Sequence, residues 1–215
     1  MTRSYDCSDP AHRAAGLRDA AEAARRGELV VLPTDTVYGI GADASNPKAV
    51  AALLAAKGRG RHMPSPVLVD SPYALNELTA DLSEAARKLV DAFWPGALTI
   101  VVAQRPSLAW DLGDTHGTVA VRMPSQSLTL ELLARTGPMA VSSANLTGRP
   151  APQDCDAAHA MLGDSVAVYL DAGPTSDTVP SSIVDVTGAI PVLRRTGALT
   201  ADQLRTVLPD LVTTD

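Results

Sequence analysis

Residues 57–62, "KGRGRH", place Lys57, Arg59, Arg61 and His62 within six positions of a chain whose formal net charge is −6. Cations at that density can hold an anion, and Gly58 and Gly60 leave the backbone free to wrap one. Basic side chains near a helix C-terminus also complement its dipole, so a solvated helix end is the simpler reading of the cluster taken alone. No Walker A pattern is present, because no Lys-Ser or Lys-Thr closes the glycine spacing.

Three further stretches carry polar groups. "PTDTVYGIG" (33–41) alternates Thr34 and Thr36 around Asp35 and ends in Gly39 and Gly41. It reads either as a ligand-contacting strand end or as a plain strand end followed by a glycine turn; its glycine spacing is not a dinucleotide fingerprint. "VAVRMP" (119–124) brings Arg122 out of an apolar strand. A buried guanidinium must be paired, either with a structural Asp or Glu or with a ligand carboxylate or phosphate held by its fork. "VSSANLTGRP" (141–150) sets three hydroxyls, an amide and a glycine behind a strand, which suits a phosphate or ribose as well as an ordinary Ser/Asn turn. Nucleophilic catalysis finds no support: there is no G-x-S-x-G elbow, and His12, His62, His116 and His159 fall in no triad motif. Asp35, Asp43, Asp171 and Asp185 stand singly, without metal-ligand spacing, and read as turn or cap residues.

The elements that must position these groups follow from periodicity. Ala14, Leu17, Ala20, Ala21 and Ala24 share helical spacing, which predicts a helix over 14–26 stopped by Gly27. "LVVL" (29–32) predicts a buried strand. Asn46 as N-cap, Pro47 in the first turn and Gly58 just past the end bound a second helix. The cation cluster then lies where that helix enters a loop before a strand at 66–70. Further helices are expected near 83–93, 125–135, 154–162 and from 200, with strands at 97–103, 118–123, 138–142, 166–171, 182–186 and 191–195. Interleaving without a linker or repeat predicts one α/β domain. Its sheet should be mixed, because several strands follow one another without a crossover helix. Ligands are expected where strands end.

At 215 residues the chain can bury a core without a metal or disulfide staple. Hydrophobic residues make up 46% but aromatics only 3%, so Ala, Val and Leu must fill the core, and stacking platforms for single-stranded nucleic acid are disfavoured. The acidic balance argues against phosphate-backbone binding as the main role. Cys7 and Cys155 form neither a metal motif nor a disulfide framework, which fits a reducing compartment. With no apolar signal core and no run near the ~20 residues of a bilayer span, a soluble cytoplasmic protein without membrane partners is expected.

Taken together and in this order, "LPTDTVYGIGADA", "AAKGRGRHMPSPVLV", "FWPGALTIVV", "VAVRMP", "AVSSANLTG", "SSIVDVTG" and "LRRTG" resemble the YrdC-like family of threonylcarbamoyl-AMP synthases, in its short form without the extra C-terminal domain. The resemblance implies a single YrdC-like domain over about 10–210, a twisted mixed α/β sheet with flanking helices around a large, positively lined cavity. It implies a nucleotidyltransferase that converts L-threonine, bicarbonate and ATP into threonylcarbamoyl-AMP and pyrophosphate, for N6-threonylcarbamoyladenosine in tRNA. Mg²⁺ is expected with ATP, held by phosphates and water rather than by a protein metal site. The product would pass to a tRNA threonylcarbamoyl-transferase complex, and weak tRNA binding is conceivable; a double-stranded RNA or tRNA-binding module of the same fold is the alternative. The family's Lys-x-Arg element falls on Lys57 and Arg59, implied to be catalytic and to bind nucleotide. Its Ser-x-Asn element falls on Ser143 and Asn145. Thr36, Arg122, Ser142 and Ser182 are implied to face threonine, while Thr118, Ala144 (through its backbone) and Arg195, rather than Arg194, face the nucleotide. Gly60 stands where family members commonly have Pro, which should loosen the loop, and the pattern leaves contacts from Met63 and Leu68 open.

Overall fold

A computed structural model describes residues 2–175 and 179–214. Strand β1 (Arg3–Asp6) leads to helix α1 (Pro10–Arg25), then β2 (Val30–Leu32) and β3 (Gly39–Asp43). Helix α2 (Pro47–Ala56) precedes β4 (Val67–Leu68), the short α3 (Leu75–Leu78) and α4 (Glu84–Phe93). Next come β5 (Leu98–Ala103), β6 (Thr118–Arg122), α5 (Ser127–Thr136), β7 (Met139–Ser143) and α6 (Cys155–Leu162). The chain closes with β8 (Val168–Asp171), β9 (Ser182–Asp185), β10 (Val192–Arg195), α7 (Ala201–Arg205) and β11 (Val212–Thr213). Among the described residues no helix is long and apolar enough to cross a membrane.

The caps explain several boundaries. Asp9 accepts from the backbone N–H groups of Ala11 and His12, so α1 starts at Pro10, four residues before the apolar pattern suggested. Asn46 caps α2 by accepting from Lys48 and Ala49, with Pro47 in the first turn, as expected from sequence. The helix ends with Lys57 as its C-cap, so the cation cluster does begin at a helix end.

The strands form one mixed sheet in the order β1-β8-β2-β3-β7-β4-β6-β5-β9-β10-β11. Its two edge strands take in residues 3–6 and 212–213, outside the 10–210 span. The sequence reading predicted no strand at β3; one of its two readings of 33–41 was a strand end followed by a glycine turn. Gly39–Asp43 instead pairs antiparallel with both β2 and β7 near the middle of the sheet. Glycine is needed there for close approach: a Cβ on Gly39 would lie 2.7 Å from Val141 Cγ1 of β7.

Helices cover the two faces unequally, and that makes the site. One core joins α2, α3, α4, α6 and α7 to Val31, Ile40, Val67, Leu98, Ile100, Val119 and Val121. The opposite core joins only α1 and α5 to Val30, Leu32, Leu68, Met139, Val141, Val168 and Leu170. Strand residues alternate between the faces. Beyond β4 the second face therefore presents Thr99, Val101, Ala120, Arg122 and Ile183 to a cleft rather than to a helix.

One wall of that cleft is Pro180–Ser181, and Gly197 backs it so closely that a Cβ there would meet backbone atoms of both residues. Gly197→Ala should therefore destabilise the fold by about 1–3 kcal/mol, because backbone cannot rotate aside as a side chain can. Urea unfolding of the variant checks this; an unchanged midpoint would show that the wall is free to shift.

Candidate active site

The cleft holds about 370 Å³ between β3, β7, β4, β6, β5, β9 and β10 and the loop after α2. It is not the largest hollow of the molecule: a surface depression lined by Thr2, Ser4, His159 and Asp164 reaches about 580 Å³. What sets the cleft apart is charge. Arg59, Arg122 and Arg195 all line it, and among the described residues no Asp or Glu does.

Each guanidinium is aimed by the fold. Arg122, 6% exposed, sits at the end of β6. Its Nε donates to the Gly96 carbonyl (2.9 Å) and its Nη1 to Thr36 Oγ1 (3.0 Å). Its Nη2 lies 2.8 Å from Asp35 Oδ1 as an ion pair, without an aligned hydrogen bond. The structural partner considered from sequence is thus Asp35, which also accepts from the Ser125 N–H (3.0 Å). Thr34 fixes the segment carrying Thr36 by accepting from the N–H groups of Thr36 and Val37 (3.2 Å each) and donating to the Val37 carbonyl (2.6 Å).

Arg195 is forked onto the Ser181 carbonyl by Nε (3.0 Å) and Nη2 (2.7 Å), and Ser181 Oγ in turn meets Thr99 Oγ1 at 2.8 Å. Its neighbour Arg194 points the other way, to Asp185 at 2.9 Å on the surface. Arg59 donates to Ser142 Oγ (3.0 Å) and Thr147 Oγ1 (3.2 Å). Among the described residues only Arg122 of the three has a carboxylate partner.

The electrostatics follow. Burial lowers the pKa of Arg59, Arg122 and Arg195, and for Arg195 the charges of Arg122 and Arg59 lower it further. Arginine stays protonated regardless. The direction of the shifts therefore says that the cleft holds unbalanced positive charge, which an anion would relieve.

Lys57 takes a different part. It is 1% exposed and does not line the cleft. Its Nζ donates to the carbonyls of Ser143 and of Asn145, the latter at 2.7 Å. The ammonium thus pins the turn after β7 onto the end of α2, and burial, then the charge of Arg59, pulls its pKa down to about 7. Thr147 completes the clasp, donating through both N–H (3.1 Å) and Oγ1 (2.8 Å) to the Lys57 carbonyl.

The remaining sequence-named positions divide. Thr36, Ser142 and Ser143 line the cleft, as do Met63 and Leu68. Ser182 is fully buried beneath it, donating to the Leu199 carbonyl (2.6 Å) and accepting from the N–H groups of Gly197 and Leu199. Thr118 Oγ1 donates to the Thr115 carbonyl (2.8 Å), outside the lining. The Ala144 N–H is bonded to the Tyr38 carbonyl (2.8 Å). Asn145 donates to the carbonyls of Leu146 and Arg149, leaving its buried Oδ1 without a partner. His62 is exposed and apart from the cleft. Thr34 and Asp35 fall in the stretch 33–41 that the sequence offered as a ligand-contacting strand end, although Asp35 taken singly read as a turn or cap residue; Thr99 and Ser181 were missed as contributors. Thr99 carried a signal, the one hydroxyl inside the apolar run "ALTIVVA".

Among the described residues no group of three or more His, Cys, Asp or Glu could hold a metal ion.

Known proteins align with this frame. The Sua5/YciO/YrdC family model, described as "Telomere recombination", matches residues 22–197. A Mycobacterium tuberculosis protein named as a candidate threonylcarbamoyl-AMP synthase is 55% identical over 208 residues, covering 97% of this chain and 96% of that protein. A Bacillus subtilis threonylcarbamoyl-AMP synthase is 39% identical over 89% of this chain, which spans 56% of that longer protein. The crystal structure of Pyrococcus abyssi Sua5 complexed with L-threonine superposes with a TM-score of 0.89 at 34% identity, covering 92% of this chain and 58% of that one.

The state of Lys57 has a measurable consequence. Replacing it with Met leaves the carbonyls of Ser143 and Asn145 without their donor and should cost about 1–3 kcal/mol. The difference should also grow with pH. The unfolded chain keeps the proton up to 10.5 while the folded chain sheds it near 7, so the unfolded state binds more protons across that window and wild-type stability rises with pH. A neutral amine still has two N–H groups for the two carbonyls. Urea unfolding of wild type and Lys57→Met at about pH 7 and about pH 9.5 tests this; a gap that is the same at both pH values would mean the buried lysine stays charged.

Proposed function

The chain belongs to the Sua5/YciO/YrdC family, and from that premise we propose that it is a threonylcarbamoyl-AMP synthase. It joins L-threonine, bicarbonate and ATP into threonylcarbamoyl-AMP with release of pyrophosphate, and so acts as a nucleotidyltransferase in tRNA N6-threonylcarbamoyladenosine formation. The observation that carries this reading is the convergence of Arg59, Arg122 and Arg195 with the hydroxyls of Thr36, Ser142 and Ser181 on one cleft.

The threonine amine and bicarbonate form a carbamate, the new N–C bond replacing the C–OH bond of bicarbonate with loss of water; its carboxylate attacks the α-phosphorus of ATP, the P–O bond to the β-phosphate breaks and pyrophosphate leaves. The nucleophile comes from substrate, so the protein has to position two anions and offset their repulsion. That repulsion is about 1 kcal/mol at contact in water and about 4 at the effective dielectric of a protein surface. Arg59 and Arg195 take the phosphates, with the Ser143 and Asn145 turn beside them. Arg122, with an N–H not yet aligned to Asp35, clamps the threonine carboxylate, and Thr36 and Ser142 read its side-chain hydroxyl. Such a site rejects analogues that leave its polar groups unpaired. Lys57 acts by holding the 143–145 turn, and Ser182 by tying β9 to the segment after Arg195. Mg²⁺ enters as part of the MgATP substrate: among the described residues the cleft lining contains no carboxylate to cage it, and phosphates and water suffice as its ligands. The product, a reactive mixed anhydride, passes to a tRNA threonylcarbamoyl-transferase complex.

Incubation with ATP, Mg²⁺, bicarbonate and threonine should yield threonylcarbamoyl-AMP and pyrophosphate, with valine, isosteric but without the hydroxyl, a much poorer substrate. A folded protein that gives no acyl-adenylate rules the reading out. Arg59→Ala should lower the rate at least tenfold, as expected for one charge-assisted contact made to the reacting phosphates. Arg122→Lys should weaken threonine binding more than ATP binding, because Lys lacks the fork; equal losses would remove Arg122 from the amino-acid side.

A further inference from the structure

Arg61 belongs to the same cation cluster as Arg59 but does not enter the cleft. Its guanidinium forks onto Asp111, Nη1 to Oδ2 at 3.0 Å and Nη2 to Oδ1 at 2.7 Å, while Nε lies 3.4 Å from Asp114 Oδ1. Backbone joins the same contact: the Asp114 N–H donates to the Arg61 carbonyl (2.8 Å), and the Gly113 N–H orients Asp111 Oδ1 (3.2 Å). Between the two aspartates Leu112 is 2% exposed and part of the main core. The carboxylates therefore stand on a post anchored in the core, not on a free loop.

Residues 57–61 form a strap whose opposite end is fixed by the Lys57–Thr147 clasp, with Gly58, Arg59 and Gly60 between the two anchors. Arg59 borders two spaces. One is the cleft; the other is a hollow of about 250 Å³ on the far side of the strap, lined by Val50, Leu54, Gly60, Asp111 and Gly113 among others. The strap is a partition with room behind it, and Gly60 gives it the freedom to move there.

We propose that Arg61, held by Asp111 and Asp114, is a positioning residue that keeps Arg59 on the cleft side of this partition. This inference rests on the reading of the cleft as an ATP site. The fork and the third charge distinguish the cluster from an isolated surface pair, which would contribute little. The latch also disposes of surplus charge: three cations in five residues would repel one another, and Asp111 and Asp114 neutralise the one that the cleft does not use. Opening the latch lets Arg59 swing toward the hollow, so the affinity lost is that for the nucleotide. Arg122 and Thr36 are untouched, so threonine binding stays.

The test compares wild type, Arg61→Gln, the double variant Asp111→Asn with Asp114→Asn, and the charge-preserving Asp111→Glu, measuring ATP and threonine affinities separately by calorimetric titration and folding by thermal unfolding. The first two variants should bind ATP about fivefold more weakly, the factor a cooperative surface ion cluster can supply, with threonine affinity within about twofold of wild type; Asp111→Glu should recover most of the loss. ATP affinity unchanged in Arg61→Gln, or equal losses for both ligands, would overturn the latch. Arg61→Gln decides the matter alone should the double variant not fold. Wild type that fails to bind ATP would instead refute the underlying reading of the cleft, a result distinct from intact wild-type binding with indifferent variants.

Discussion

Positive charge held together against its own repulsion is the constraint on which this structure turns. Arg59, Arg122 and Arg195 share a partly buried cleft, and the charges of the first two disfavour the third. Guanidiniums left to themselves would extend into water, where repulsion is screened. Here each is tied to a rigid acceptor: Arg195 to the Ser181 carbonyl, Arg122 to the Gly96 carbonyl, Arg59 to the hydroxyls of Ser142 and Thr147. Oriented carbonyls and hydroxyls restrain a cation without neutralising it. Carboxylates would do both, and among the described residues the one that meets a cleft guanidinium is Asp35, on Arg122. The arrangement keeps unbalanced charge in readiness for an anion.

That readiness depends on the unequal covering of the sheet. Had a third helix joined α1 and α5 on their face, Thr99, Val101, Ala120 and Ile183 would be covered by it, and Arg122 would be a buried charge with no opening to an anion. With the face left open beyond β4, the same pleat that sends Val119 and Val121 into the main core turns Ala120 and Arg122 toward the cleft. Fold and site are two consequences of one alternation.

The same physics decides what could be read in the sequence. Helix α2 was legible because Asn46, Pro47 and Gly58 are local signals, and β5, β6 and β8 because apolar runs bounded by turn residues leave few alternatives. Strand β3 was not, since "GIGAD" has poor strand propensity; its pairing with β2 and β7 overrides that, and only the neighbouring Val141 explains the glycine. At the site, Arg122, Ser142 and Arg59 were recognisable as polar groups at strand and helix ends. Asp35 was read as a turn residue, because its partner Arg122 is 87 positions away in the chain, the difference between the two numbers. Lys57 illustrates the limit best. The chemistry of a lysine beside an arginine suggests phosphate, but a tertiary contact to the Ser143 and Asn145 carbonyls commits the ammonium to backbone.

Lys57 and Arg59, two residues apart, thus divide one task. The lysine is a compact donor that can lose its charge when buried, and its pKa near 7 reflects that. The arginine cannot lose its charge and stays where solvent and substrate can reach it. Interchanging them would fail on both sides: a guanidinium at 57 would be a permanent charge in a pocket shaped for one nitrogen, and an ammonium at 59 could not span Ser142 and Thr147 with a planar fork. Both thiols, Cys7 and Cys155, lie buried with pKa pushed up to about 11 and about 12, away from the cleft lining. On the proposed reading this distribution is sufficient. The reacting electrons belong to the carbamate and the phosphate, and the protein supplies a fixed field in which two anions can approach.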